Sequence, residues 1–177
     1  MKIQPTYLAQ IKRIVSDFHG HDGKVMGSVN QALDVMHAAT LDKQHRVLGD
    51  MMSLIGRWTN PVEIGALIGK RMPVTSFGDV SLGIKTAPNL SYALRLVASI
   101  HHQVVPLVDY SYNETKSEGR FVVGFRVPID GKGEALVVSL VALMLESEVT
   151  RWTGRSGHIK KLELTPSSKG YEAAYRK

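Results

Sequence analysis

Apolar residues in the first half of the chain recur at helical spacing. Tyr7, Leu8, Ile11, Ile14 and Val15 form one stripe between Pro5 and Val15, the i, i+3, i+4, i+7 pattern of an amphipathic helix. The segment Phe18-His19-Gly20-His21-Asp22-Gly23 interrupts it, because glycine and aspartate favour a turn. Val29, Leu33 and Met36 predict a second, short helix from Ser28 or Asn30 to His37. After a polar stretch from Thr40 to Arg46, the residues Val47, Leu48, Met51, Met52, Leu54, Ile55 and Trp58 predict a third. Asn60-Pro61-Val62-Glu63 then reads as a helix start. Asn60 can accept from free backbone N–H groups, Pro61 suits the first helical position, and Glu63 can close a capping box. This helix should run to about Arg71. Phe77 to Ile84 predicts a short helix, and Pro88-Asn89-Leu90-Ser91 opens a longer one striped by Leu90, Ala93, Leu94, Val97 and Ile100 and stopped by Pro106.

The period then changes from helical to alternating. Val108, Tyr110 and Tyr112 alternate with Asp109, Ser111 and Asn113, and Phe121, Val123, Phe125 and Val127 alternate with Val122, Gly124 and Arg126. With Lys116-Ser117-Glu118-Gly119 between them, this is the pattern of an antiparallel hairpin. A long helix is predicted from Gly131 to Trp152, apolar nearly all round at its centre and therefore central to the core. His158 to Leu164 alternates again and Pro166 stops it. A lone hairpin is marginal, so this later strand is expected to complete the sheet. The fold class expected is α+β: a small, mainly antiparallel sheet, hairpin plus a later strand, covered by several helices.

Composition narrows the class. The 177 residues are 44% apolar, enough for one globular domain with its own core. Cysteine is absent, which excludes disulfides, thiolate metal sites and a cysteine nucleophile and suits a reduced, cytoplasmic setting. The N-terminus Met1-Lys2-Ile3-Gln4-Pro5 lacks the apolar stretch of a signal peptide. The run from Ala135 to Leu145 is too short to span a bilayer. The net charge of +6 is concentrated at the C-terminal end, where Arg151, Arg155, Lys160, Lys161, Lys169, Arg176 and Lys177 face only Glu163 and Glu172. Such a segment can meet phosphate or an acidic partner, or serve as a solvated end or guarded strand edge.

The chemistry-bearing residues form no recognised catalytic pattern. His19, His21 and Asp22 cluster, but a closed zinc site needs four ligands and no second half is evident. His101 and His102 are adjacent and point about 100° apart if helical. No G-x-S-x-G elbow occurs. Gly65-Ala66-Leu67-Ile68-Gly69-Lys70 lacks phosphate-loop spacing and lies inside a capped helix rather than after a strand. Taken as the first helix of a helix-turn-helix, the same stretch is followed by 73–81, which carries no lysine or arginine with which to read bases. Arg151 and Arg155 suit the negative end of a helix dipole, or alternatively an anion clamp. What remains is a soluble domain with aromatic Tyr110 and Tyr112 on a hairpin and polar Arg95, His101, His102 and Arg126 near apolar faces. That combination fits either a ligand pocket or simple covering of the sheet.

Three segments together resemble a known family. Trp58 to Gly69, Phe77 to Gly83 and Ala87 to Leu96 are similar to the N-terminal domain of a large group of AraC/XylS-type transcription regulators. Thr59, Pro61, Leu67 and Gly69 match a first element, Phe77, Gly78 and Gly83 a second. Ala87, Pro88, Asn89, Leu90, Ala93, Leu94 and Arg95 match a third. Tyr92 departs from the pattern, standing where an acid is common. The resemblance spans Gln31 to Tyr175, and its weight lies in the order and spacing of the motifs.

The resemblance implies a cytoplasmic sensor and dimerisation domain over residues 1–177, with 1–28 as a helical lead-in and 155–177 as a basic segment toward a missing DNA-binding domain. It implies an unknown small-molecule effector and a homodimer. DNA would be contacted only through a C-terminal helix-turn-helix domain not in this chain. No cofactor, metal, membrane contact or enzymatic activity is expected. The pocket is expected between a helix spanning 90–103, the hairpin and the helix spanning 135–152, with Arg95, His102, Tyr110, Tyr112 and Arg126 as ligand anchors. A ligand-free dimerisation module and a small enzyme are the alternatives.

Overall fold

The computed structural model describes residues 5–19, 23–72, 80–100 and 107–155. Over these residues the chain forms seven helices and a two-stranded antiparallel sheet. They run in the order α1 (Pro5–His19), α2 (Gly23–Ala38), α3 (Leu41–Trp58), α4 (Pro61–Arg71), α5 (Val80–Lys85), α6 (Leu90–Ile100), β1 (Val108–Glu114), β2 (Gly119–Phe125) and α7 (Gly131–Thr153). The α+β class expected from the pattern holds. The strand expected at 158–164, the basic C-terminal segment beyond Arg155, and His21, Asp22, His101 and His102 lie outside the described residues.

Two helices begin earlier than periodicity predicts. α2 starts at Gly23, not Ser28 or Asn30, because buried Val25 extends the stripe of Val29, Leu33 and Met36 back by one turn. α3 starts at Leu41, inside the stretch read as polar linker. Gln44 explains it. Its side chain is buried, and Nε2 donates to the carbonyl oxygens of Met36 at 2.9 Å and Ala39 at 3.2 Å. A polar residue of α3 thereby satisfies carbonyls at the end of α2 that have no partner inside the helix. α1 continues through Phe18 and His19, past the predicted break. Trp58, assigned to the apolar stripe of α3, is 44% exposed.

The predicted start of α4 forms as expected. Asn60 Oδ1 accepts from the backbone N–H groups of Val62 and Glu63 at 3.2 and 3.4 Å, with Pro61 in the first turn. The reciprocal half of a capping box does not form, and Glu63 stays exposed. Asp130 caps α7 by accepting from Gly133 N–H at 2.8 Å. At the other end of α7, Gly154 takes the left-handed conformation (φ 68°) and its N–H closes the last turn on Thr150 O.

α7 is the central element. It packs most extensively on α4 and then α3. Leu136, Val137, Leu140, Val141 and Met144 join Ile64, Ile68, Met72, Met51, Met52 and Ile55 in one large core, to which α1, α2 and the inner face of the hairpin also contribute. The α4–α7 crossing is close because Gly65 and Gly69 lie against the carbonyl oxygens of Leu136 and Leu140. A second, smaller cluster of Ile84, Ala93 and Val97 sits under α5 and α6. Phe121 and Leu145 touch both clusters.

Candidate ligand-binding site

The hairpin pairs Val108 with Phe125, Tyr110 with Val123 and Tyr112 with Phe121. Side chains of alternate residues share a face, so Val108, Tyr110, Tyr112, Phe121, Val123 and Phe125 form the inner one. Tyr110 is buried there, its ring 5.3 Å from that of Phe121. Tyr112 is half-buried, 6.2 Å from the same ring. The two tyrosines are thus brought together through Phe121.

The arginines lie elsewhere. Arg126 follows β2 and pairs with Asp109, which points to the outer face of the sheet. Arg95, on the exposed side of α6, donates to Glu114 Oε2 at 3.2 Å. The hydroxyl of Ser91, one turn earlier on α6, donates to the same oxygen. The Ser91 hydrogen bond is the largest effect on the Glu114 carboxyl; burial, second in size, opposes it, and with the hydrogen bond and charge of Arg95 the carboxyl is held below its usual value. Asp109 and Glu114 are five positions apart on β1, roughly 17 Å at strand rise. Arg95 and Arg126 therefore anchor opposite ends of the hairpin and do not converge on the tyrosines. His102 lies outside the described residues.

A cleft does open beside α6, bounded by α5 and α7 rather than by the hairpin. Its walls include Ile84 of α5, Leu90, Leu94 and Val97 of α6, and Glu148 and Trp152 of α7. It encloses about 420 Å³ between atoms, its open mouth included, of which about 20 Å³ admits the centre of a water molecule. In this conformation its free space is about that of a single water-sized probe, which fills about 10–15 Å³ on the same measure.

Glu148 is the one acid among the residues lining the cleft, which it meets through its apolar stem, since the accessible surface of the cleft is wholly apolar. Burial pushes its carboxyl above the usual range, against the smaller opposing effects of Arg151 and Lys85. Glu148 was not among the expected anchors, because it lies beyond Leu145, where the uncharged run ends. The signal was present: Leu145, Glu148 and Trp152 are three and four residues apart, so they share a helix face, and an acid on an apolar face is unusual. Among the described residues no three His, Asp or Glu side chains gather as a metal site would require.

The family model for the arabinose-binding domain of AraC transcription regulators, their N-terminal domain, matches residues 31–177. The chain belongs to this family. The match takes in the second half of α2 and everything from α3 onward, close to the Gln31 to Tyr175 span of the motif resemblance. The AraC N-terminal family is one of regulatory ligand-binding domains in transcription control and is not an enzyme family. No curated protein and no solved structure matches the chain. Among the described residues, no helix is long and apolar enough to cross a membrane.

Proposed function

We propose that this chain is the effector-sensing and dimerising N-terminal domain of a cytoplasmic AraC-type regulator, without catalytic activity, whose DNA contacts are made by a separate helix-turn-helix domain. The observation that carries the reading is the family match over residues 31–177. The effector is a small molecule, and the family's description makes arabinose the first compound to test. Of the expected anchors, Tyr110 and Tyr112 share the inner face of the hairpin, whereas Arg95 and Arg126 would contact a ligand only at its two ends. Binding would act by population shift: an effector that prefers one arrangement of the domain favours that arrangement, and the attached DNA-binding half follows.

Thermal unfolding with arabinose and a panel of metabolites tests this. A saturable rise in midpoint is expected for an effector, since a ligand that binds only the native state stabilises it in proportion to ln(1 + [L]/Kd). A second reading, a dimerisation module that takes no ligand, is favoured by the narrowness of the cleft beside α6. A flat panel together with a concentration-dependent dimer in sedimentation would select it.

A further inference from the structure

Strand β2 presents an unguarded edge. Arg126 N–H donates to Leu107 O at 2.9 Å and Thr115 N–H donates to Glu118 O at 2.8 Å. Between them the register sets Asp109 against Gly124, Ser111 against Val122 and Asn113 against Arg120. Bonded and non-bonded pairs alternate along an antiparallel ladder, so the backbone groups of Arg120, Val122 and Gly124 turn toward β1. Those of Gly119, Phe121, Val123 and Phe125 turn the other way. Among the described residues no strand pairs with that side of β2, and α6 packs on β1 instead. Such a row of N–H and C=O groups is a template for a further strand, which proteins commonly block with proline, lysine or a bulge. β2 reads Gly-Arg-Phe-Val-Val-Gly-Phe, and its register with β1 has no bulge. Phe121, Val123 and Phe125 on the inner face are half-buried, and Val122 on the outer face is 41% exposed.

We propose that this edge pairs with the same edge of a second copy of the chain, β2 lying antiparallel to β2 across a two-fold axis at Val122. The proposal rests on the reading of the chain as a dimerising domain and names the surface. A two-fold contact must be complementary to itself, and β2 is so in one register. With Val122 opposite Val122 the strands overlap along their whole length. Phe121 then faces Val123 of the second copy and Gly119 faces Phe125. All four have outward backbone groups, so each pair exchanges both hydrogen bonds. Arg120 faces Gly124, and one step past the strand end Arg126 faces Glu118 of the second copy. Opposite charges across a ladder stabilise it and like charges weaken it. A slip of one residue opposes outward groups to inward ones. A slip of two sets Arg120 against Arg126 in one direction, and in the other sets Phe125 against Ser117 of the turn.

Other occupants suit the edge less. In the chain's own segment 158–164, Lys160 and Lys161 are adjacent. Successive strand residues point to opposite faces, so one of the two lysines would lie over the apolar inner face in any register. An acidic peptide would find Arg126 already paired with Asp109 and an apolar Val122 at the centre of the strand.

The chain has no cysteine, so Val122→Cys places a lone thiol at the axis of the full-length chain. A non-bonded antiparallel pair holds its α carbons about 4.5 Å apart, within disulfide reach. Mild oxidation should link Val122→Cys into a covalent dimer. Ser111→Cys, also exposed on the outer face but one strand further from the axis, should stay unlinked. In sedimentation, Val122→Glu and Val122→Lys should each weaken self-association roughly fivefold through like charges at the axis, and an equimolar mixture of the two should recover it. Hydrogen exchange at the Phe121 and Val123 amides should slow as the dimer forms. Linking of Val122→Cys no faster than Ser111→Cys, or a mixture no tighter than either variant alone, overturns the proposal. So does protection of those amides that persists at monomeric dilution, which would assign the edge to another part of the chain. The wider dimer reading is judged separately. Undiminished self-association of Val122→Glu would keep the dimer and overturn this surface, whereas a chain that stays monomeric at every concentration would overturn both.

Discussion

The α carbon of Gly65 faces the carbonyl oxygen of Leu136 so closely that a methyl group there would overlap it, with Ser139 Cβ a further contact at 3.0 Å. Gly69 repeats the arrangement one turn on, against Leu140 O. The obstacle in both cases is the backbone of α7, which cannot rotate away as a side chain would. Gly65→Ala should therefore lose about 1–3 kcal/mol through overpacking, even though alanine is the better helix former by about 1 kcal/mol. Gly27 of α2 has nothing within 4 Å of where a Cβ would stand, so Gly27→Ala should gain about 0.5–1 kcal/mol. Urea unfolding of the two variants should move the midpoint in opposite directions.

Asp130 separates capping from ion pairing. Burial alone would raise its carboxyl, but the Gly133 N–H, Arg57 and Ser53 outweigh burial and lower it. Arg57 approaches Oδ2 at 2.7 and 2.8 Å, yet its side chain is 62% exposed, so the ion pair contributes little. Asp130→Ala should cost about 1 kcal/mol for the lost cap, whereas Asp130→Asn, an equally good capping residue, should lose at pH 7 only the smaller share that comes from the ionised carboxylate. A lowered folded-state pKa adds stability above the unfolded-state value, near 4, and that stability is lost as pH falls through the folded value. Urea titrations on the acid side should thus show a shallower loss for Asp130→Asn than for the native chain.

Glu148 has the opposite sign. Its carboxyl is raised, chiefly by burial, so its stabilising share is fully present below the unfolded-state pKa and lost as pH rises through the folded value. Glu148→Gln should then be more stable than the native chain at neutral pH, and that advantage should shrink in acid. Equal pH profiles for the two proteins would contradict the burial seen for this side chain.

Gln44 joins two helices through one amide. Gln44→Leu would remove the amide donor from Ala39 O and leave Met36 O with only the Ala39 N–H at 3.3 Å, an expected loss of about 1–3 kcal/mol. Hydrogen exchange should show the last turn of α2 opening first.

Arg126 and Arg95 offer a test of the hairpin as a ligand surface. Each forms an exposed pair with a carboxylate, and such pairs contribute about 0–1 kcal/mol. Alanine at either position should leave thermal stability nearly unchanged. If either variant also keeps the full midpoint rise with an effector, that arginine makes no contact with it.

Residue order along the chain was sufficient for the helices, the hairpin and the class of the fold, because periodicity and capping act between residues a few positions apart. Asn60 with Pro61, and the alternation around Tyr110 and Phe121, are local facts of that kind. The motif order carried the family as well. Tertiary structure alone decided that Gln44 turns inward to Met36, that Gly65 and Gly69 meet the backbone of α7, that Arg95 and Arg126 engage carboxylates at opposite ends of β1, and that Glu148 is buried beside a cleft. Each of these depends on which distant segment arrives next to the residue. Burial and partner choice are set by that arrival; local spacing can put Glu148 on an apolar helix face with Leu145 and Trp152, but it does not say what covers that face.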